Sequence, residues 1–227
     1  MKIVKNLLTA SLIQSALKLP AASRRRFQHE NHQPRQRLRR RISVMTFNSI
    51  HIPDHLYFVT ASICGWQPLL SEPEYANIVL NSFTWLRQEK RISLFAFALM
   101  PTHLHSIVLP LDRSIGELLQ NFGSFTAHEI LKKLQEENRK DLLEFFHVHR
   151  RDSSVEHSIW QDIQAKNIYT EKFLLQKLEY IHQNPVAKDW NLVQNRARYE
   201  YSSACFYDEG REPIIEIDDI REYLSQK

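Results

Sequence analysis

Two cysteines occur in 227 residues, Cys64 and Cys205, and they form no C-x-x-C pair. That excludes a disulfide framework and a cysteine-built zinc site, and leaves two buried thiols as the expectation. No apolar run approaches the ~18 residues that a membrane span needs, so no membrane span and a cytoplasmic protein are expected. The phosphate-cradling pattern G-x-x-x-x-G-K-S/T is missing, and there is no internal repeat. A basic surplus is also missing from most of the chain. The net charge is +4, from 30 Lys and Arg against 26 Asp and Glu. Residues 1–44 hold 11 of the basic groups and one acid, Glu30, so the remaining 19 basic and 25 acidic groups leave residues 45–227 at −6. Global charge therefore gives no reason for this larger part to bind nucleic acid. Local clusters would have to do so, such as Arg87/Lys90/Arg91, Arg150/Arg151 and Arg196/Arg198.

What is present divides the chain in three. Residues 1–22 begin with Lys2 and Lys5 and continue into a moderately apolar stretch that mimics a signal peptide. Ser11, Gln14, Ser15 and Lys18 interrupt it, and Arg24-Arg25-Arg26 follows. Residues 23–44 contain eight arginines and almost nothing apolar, so residues 1–44 are expected to form a disordered basic extension. Met45 competes with Met1 as the native start. Residues 45–210 are expected to fold as one domain, with 211–227 as a C-terminal tail.

Within the domain, His55–Ile63 reads as a strand. Ser71-Glu-Pro-Glu74 reads as a capping box opening a helix to about Lys90. Two short apolar runs around Pro101-Thr102 read as antiparallel strands with a tight turn. Ser114-Ile-Gly-Glu117 is a second capping box, opening a helix through Leu134 in which Gly123 marks a kink. Residues 135–159 are charged and irregular. Thr170 caps a helix from Glu171 to about Asn184, which Pro185 helps to end. This order predicts an α+β fold of the ferredoxin-like type, an antiparallel sheet with helices packed on one face.

The chemistry concentrates in Phe97–Val108, FALMPTHLHSIV. Residues two apart in a strand project from one face, so His103 and His105 hold both imidazoles on one side of the sheet while Leu104 enters the core. Two neutral imidazoles at that spacing can share a divalent metal, with a third ligand from elsewhere. His147-Val148-His149 has the same form without the strand-turn context, and reads as a solvated or DNA-facing segment. On the late helix Leu174, Leu178 and Ile181 make the core stripe. Tyr180 and Asn184 share a different face with Lys177. Trp160 and Tyr201 read as core residues.

Four pieces follow one another in a fixed order: the MPTHLHSIV run, Trp160-Gln161-Asp162, Glu179-Tyr-Ile-His-Gln-Asn-Pro-Val186, and Tyr201-Ser-Ser-Ala204. Together, over residues 51 to 207, they resemble the insertion-sequence-200-like single-tyrosine (HUH) transposases, most closely the REP-associated branch. The resemblance implies a ferredoxin-like sheet with the HUH histidines on a central strand. It implies Tyr180 as nucleophile, and His103, His105 and Asn184 as ligands to Mg²⁺ or Mn²⁺. It further implies cleavage and rejoining of single-stranded, hairpin-containing DNA through a 5′-phosphotyrosine. Both a monomer and a homodimer are compatible with it. The chain departs from the family at Gly123, where a lysine is common, which puts full activity in doubt. Two other readings stand beside this one. The first is a DNA-binding protein of the same fold that no longer cuts. The second is an RNA-binding ferredoxin-like module using sheet-face aromatics such as Tyr57-Phe58, although the glycine-containing aromatic signature of such modules is absent.

Overall fold

Aromatic and β-branched residues dominate Tyr57–Ile63, and this strand, β1, takes an inner place in a four-stranded antiparallel sheet. The computed structural model describes residues 52–150 and 153–226; the basic extension expected over 1–44, and the alternative start at Met45, lie outside the described residues. The described chain runs β1, α1 (Pro73–Gln88), β2 (Ile92–Leu99), β3 (His103–Pro110), α2 (Ile115–Glu136), α3 (Lys140–Val148), β4 (Trp160–Asn167), α4 (Glu171–Gln183), α5 (Ala204–Glu209) and α6 (Ile220–Ser225). The sheet order is β2-β3-β1-β4, with every neighbouring pair antiparallel. This is the α+β, ferredoxin-like arrangement expected, with β3 an inner strand. Among the described residues no helix is long and apolar enough to cross a membrane, and Cys64 and Cys205 are buried free thiols.

Strand alternation sorts the core into two layers. On one face Val59, Ala61, Ile63, Phe97, Leu104 and Val108 pack against Val79 and Phe83 of α1 and Leu118, Phe122 and Ile130 of α2. On the other, Phe58, Phe95, Ala98, Ile107 and Leu109 pack against Leu174 and Ile181 of α4 and Ile220 of α6. Helices thus cover both faces, where cover on one was expected. Residues 211–226, expected as a tail, contribute to this second layer. Asp218 N donates to Leu94 O at 2.7 Å, and the Asp218 carboxylate accepts from Leu94 N and Arg87. Tyr201–Ser203 closes more of the β2 edge, through Leu99 N to Tyr201 O at 2.8 Å and Ser203 N to Phe97 O at 3.0 Å. An edge strand left with open N–H and C=O groups invites pairing with other chains, and these segments remove that edge.

The local start signals met different fates. Ser114 caps α2 as expected, its hydroxyl accepting from Glu117 N while the Glu117 carboxylate accepts from Ser114 N. Ser71 does not cap α1. Its hydroxyl turns back to donate to Pro68 O at 2.6 Å, and the helix begins behind Glu72 with Pro73 in its first turn. Residues expected to be irregular hold α3, which is anchored by fully buried Phe146. Helix α2 runs through Gly123 without interruption. A Cβ there would stand 2.6 Å from Ile163 Cδ1 of β4, so this glycine serves close approach of helix and sheet.

Helix α4 is tied to the sheet by a buried polar contact. His182 Nε2 lies 2.9 Å from Ser203 Oγ, which accepts from Phe97 N at 3.0 Å. Burial, aided by the nearby Arg196 charge and opposed by Asp208 and Glu179, lowers the His182 pKa from 6.5 to about 4. Because the folded value lies below the unfolded one, the unfolded chain binds the extra proton between these pH values. The contribution to stability is complete above pH 6.5 and shrinks as pH falls through about 4. The urea midpoint is therefore expected to drop between pH 7 and about 4.5, and His182→Gln to drop less over the same interval. Equal slopes for both proteins would remove His182 as the source. At Gly123, substitution by lysine forces a side chain against Ile163. Unfolding stability should fall by about 1–3 kcal/mol, and an unchanged midpoint would show that Ile163 gives way freely.

Candidate functional site

Strand β3 places His103 and His105 on the face covered by α4, with Leu104 in the opposite layer. Their ring centroids are 4.8 Å apart, and both side chains are buried. Each Nδ1 meets a threonine hydroxyl at 3.0 Å: Thr102 Oγ1 for His103, and Thr60 Oγ1, directly across the β1–β3 ladder, for His105. With Nδ1–H donating to those oxygens, each Nε2 keeps its lone pair. Burial lowers the His103 pKa to about 4, against a hydrogen bond to the Asn184 side chain that raises it. Burial also holds His105 well below the usual range, with the charges of His103 and Lys177 acting the same way. Both imidazoles are neutral at pH 7, the form that binds metal.

Helix α4 brings the rest. Its core stripe is as read from the sequence, with Leu174 and Ile181 buried and Leu178 partly so. Tyr180 stands off that stripe and is 46% exposed. Its ring centroid is 5.1 Å from that of His105, and Phe58, stacked on the same imidazole at 5.4 Å, meets the Tyr180 ring edge to face at 6.0 Å. Asn184, where α4 tightens into a 3₁₀ turn before Pro185, donates from Nδ2 to Tyr180 O at 3.1 Å. Its side chain is hydrogen bonded to His103. The four residues singled out from the sequence thus converge within one chain. Lys177 Nζ lies 4.6 Å from the Phe58 centroid and 5.1 Å from that of Tyr180, which puts a cation beside the phenol.

Two imidazoles and an amide oxygen suit a divalent ion. Among the described residues no group of three His, Cys, Asp or Glu side chains is placed to hold one; beside His103 and His105 the side chain at hand is the Asn184 amide. His147 and His149 sit at the end of α3, their Nδ1 atoms against Glu156 O and Phe145 O. Gly123 packs in the layer away from the histidines, so a lysine at this position has no short route to them. The proposed basic clusters are largely ion-paired: Arg87 with Glu216 and Asp218, Arg91 with Asp112, and Arg196 with Glu179 and Asp208. Trp160 and Tyr201 are buried, as expected, and Trp160 Nε1 donates to Thr126 Oγ1 at 2.9 Å.

Sequence reasoning missed two indoles. Trp66, in the turn after β1, and Trp190, after the Asn184 turn, bring their ring centroids to 5.8 and 5.4 Å from that of His103. Each is a lone aromatic in an irregular segment, and no periodicity marks it. A groove of about 780 Å³ between α1 and α2, lined in part by Trp85, Phe125, Arg91 and Arg113, lies on the other side of the sheet and is separate from this site.

No protein-family model matches the chain, and no curated protein does. Among solved structures, that of a REP-associated tyrosine transposase bound to a REP hairpin is similar, with a TM-score of 0.53 and 16% identity. The match covers 78% of this chain and 93% of the other. At that identity the likeness is one of fold, and at the level of fold this protein is related to that transposase.

Proposed function

We propose that this protein cleaves and rejoins single-stranded, hairpin-containing DNA, with Tyr180 as nucleophile. The observation that carries the reading is the convergence of Tyr180 and Asn184 from α4 on His103 and His105 from β3. The fold likeness to a hairpin-bound transposase supports it. In the reaction the Tyr180 phenol oxygen bonds to the scissile phosphorus, its proton passes to solvent at the exposed ring, and the P–O3′ bond breaks. The products are a 5′-phosphotyrosine and, after protonation, a free 3′-OH. Attack by a 3′-OH reverses the step, so the covalent bond conserves the energy for rejoining. His103 and His105, through Nε2, and Asn184, through its amide oxygen, would hold Mg²⁺ or Mn²⁺. Such an ion polarises the scissile phosphate and offsets its developing charge. Thr60 and Thr102 keep the imidazoles oriented, and Lys177 keeps a positive charge next to the phenol.

RNA binding through an open sheet face has less support, because Phe58 and Phe95 are buried under α4 and α6. A protein of the same fold that binds DNA without cutting is separated by assay. Incubation with labelled single-stranded hairpin DNA and Mg²⁺ or Mn²⁺ should give a denaturant-resistant protein–DNA adduct whose peptide maps to Tyr180. Tyr180→Phe should lose the adduct while stability changes by less than ~1 kcal/mol. Undiminished cleavage by that variant, or an adduct on Tyr169 or Tyr201, would falsify the mechanism. Chelator should stop cleavage. His103→Ala or His105→Ala should abolish both cleavage and Mn²⁺ binding followed by electron paramagnetic resonance, whereas His147→Ala with His149→Ala should leave both intact. The opposite pattern would mean that the metal, if any, sits at the second pair.

A further inference from the structure

Trp66 is held in an unfavourable backbone conformation with its indole in solvent. The turn after β1 passes through Gly65 at φ 62° and then Trp66 at φ 56°, a left-handed region that a bulky L-residue rarely adopts. Such a conformation persists only where the surroundings over-determine it, and here they do. Cys64 N donates to Ile159 O at 2.7 Å, and Gly65 N donates to Gln161 Oε1 at 3.1 Å. The Phe145 ring seats so closely on Gly65 that a Cβ would lie 2.5 Å from its Cζ. The pinned turn holds an indole that is 43% exposed, at an interplanar angle of 72° to the His103 ring. Trp190, partly buried against the core, meets the same imidazole from the Asn184 side of the site.

An indole fixed half in solvent beside the buried His103 imidazole offers a flat apolar surface next to the centre that Tyr180 and Lys177 share. The ligand with both properties is an unpaired nucleotide, whose base stacks on the ring while its phosphate lies over the histidines. We propose that Trp66, which meets the same imidazole as Trp190, is the stacking platform for an unpaired base adjoining the phosphate that Tyr180 attacks. The platform favours DNA that is single-stranded at that step, since a paired base has no open face to offer. This subsite rests on the reading of the site as one that binds single-stranded DNA.

The test uses the full chain carrying Tyr180→Phe, so that binding is read without cleavage. Tryptophan fluorescence is followed during titration with a thymidine 12-mer, with the same 12-mer paired to its complement, and with an abasic 12-mer of the same backbone. The thymidine 12-mer should quench fluorescence saturably, and the duplex should quench weakly. Adding Trp66→Ala should weaken binding of the thymidine 12-mer about tenfold or more, and leave the abasic 12-mer unchanged. Trp66→Phe should retain most of the affinity, and Trp85→Ala, on the opposite layer, all of it. Trp66→Gly, which suits the left-handed backbone, repeats the alanine comparison should that variant fail to fold. Equal losses on the thymidine and abasic strands, or no loss on either, would overturn the platform, as would absence of binding to the thymidine 12-mer. A base-dependent loss without any Tyr180 adduct in the wild type would sink the cleavage reading and leave the platform standing.

Discussion

The hydrogen bond between His182 and Ser203 fixes where α4 lies on the sheet, and the candidate site depends on that placement. A buried imidazole left without a partner is costly, and Ser203 offers one from a segment that is itself bonded to β2. Ile181 and Leu174 seat in the same layer as Phe58 and Ile107. Sliding α4 by a turn would separate His182 from Ser203 and misplace both apolar residues together. With that register held, the neighbouring face of the helix carries Tyr180 and Asn184 to β3. The two residues proposed as nucleophile and amide ligand are thus aimed by residues to which the proposal gives no part in the chemistry.

Strand β3 meets a different demand with the same economy. Leu104 and Val108 anchor it in the layer beneath α1 and α2, while His103 and His105 face α4. Burial keeps both imidazoles neutral, and two threonines fix the Nδ1 side of each ring. The ligand set proposed for a divalent ion is uncharged, so on that reading its negative counterpart would come from the phosphodiester.

Much of this was legible in the sequence because it rests on periodicity. The H-x-H spacing in a strand, the Leu174–Ile181 stripe and the position of Tyr180 off it follow from the repeat of strand and helix alone. The Ser114 box formed with its hydroxyl donating to the Glu117 carboxylate, whereas the Ser71 hydroxyl donates to the carbonyl of Pro68. What stayed hidden depends on contacts between distant segments. Helix α3 is masked by charge around a single buried phenylalanine, and the hold of Asp218 on Leu94 joins residues far apart in sequence. Gly123 signals a break in sequence, but in space it is the point where α2 meets β4. Arginine clusters look like phosphate grips until their acidic partners, 12 or 131 residues away, are brought beside them.

All four site residues belong to one chain, and Tyr180 reaches His105 without help from another copy. On the proposed reading, one molecule then presents one nucleophile to one strand. Any event that joins two DNA ends needs two separately loaded copies brought together by some other surface, or one copy acting twice in succession. The division of labour between cutting and pairing of ends therefore falls outside the site itself, on whatever brings the loaded copies into register.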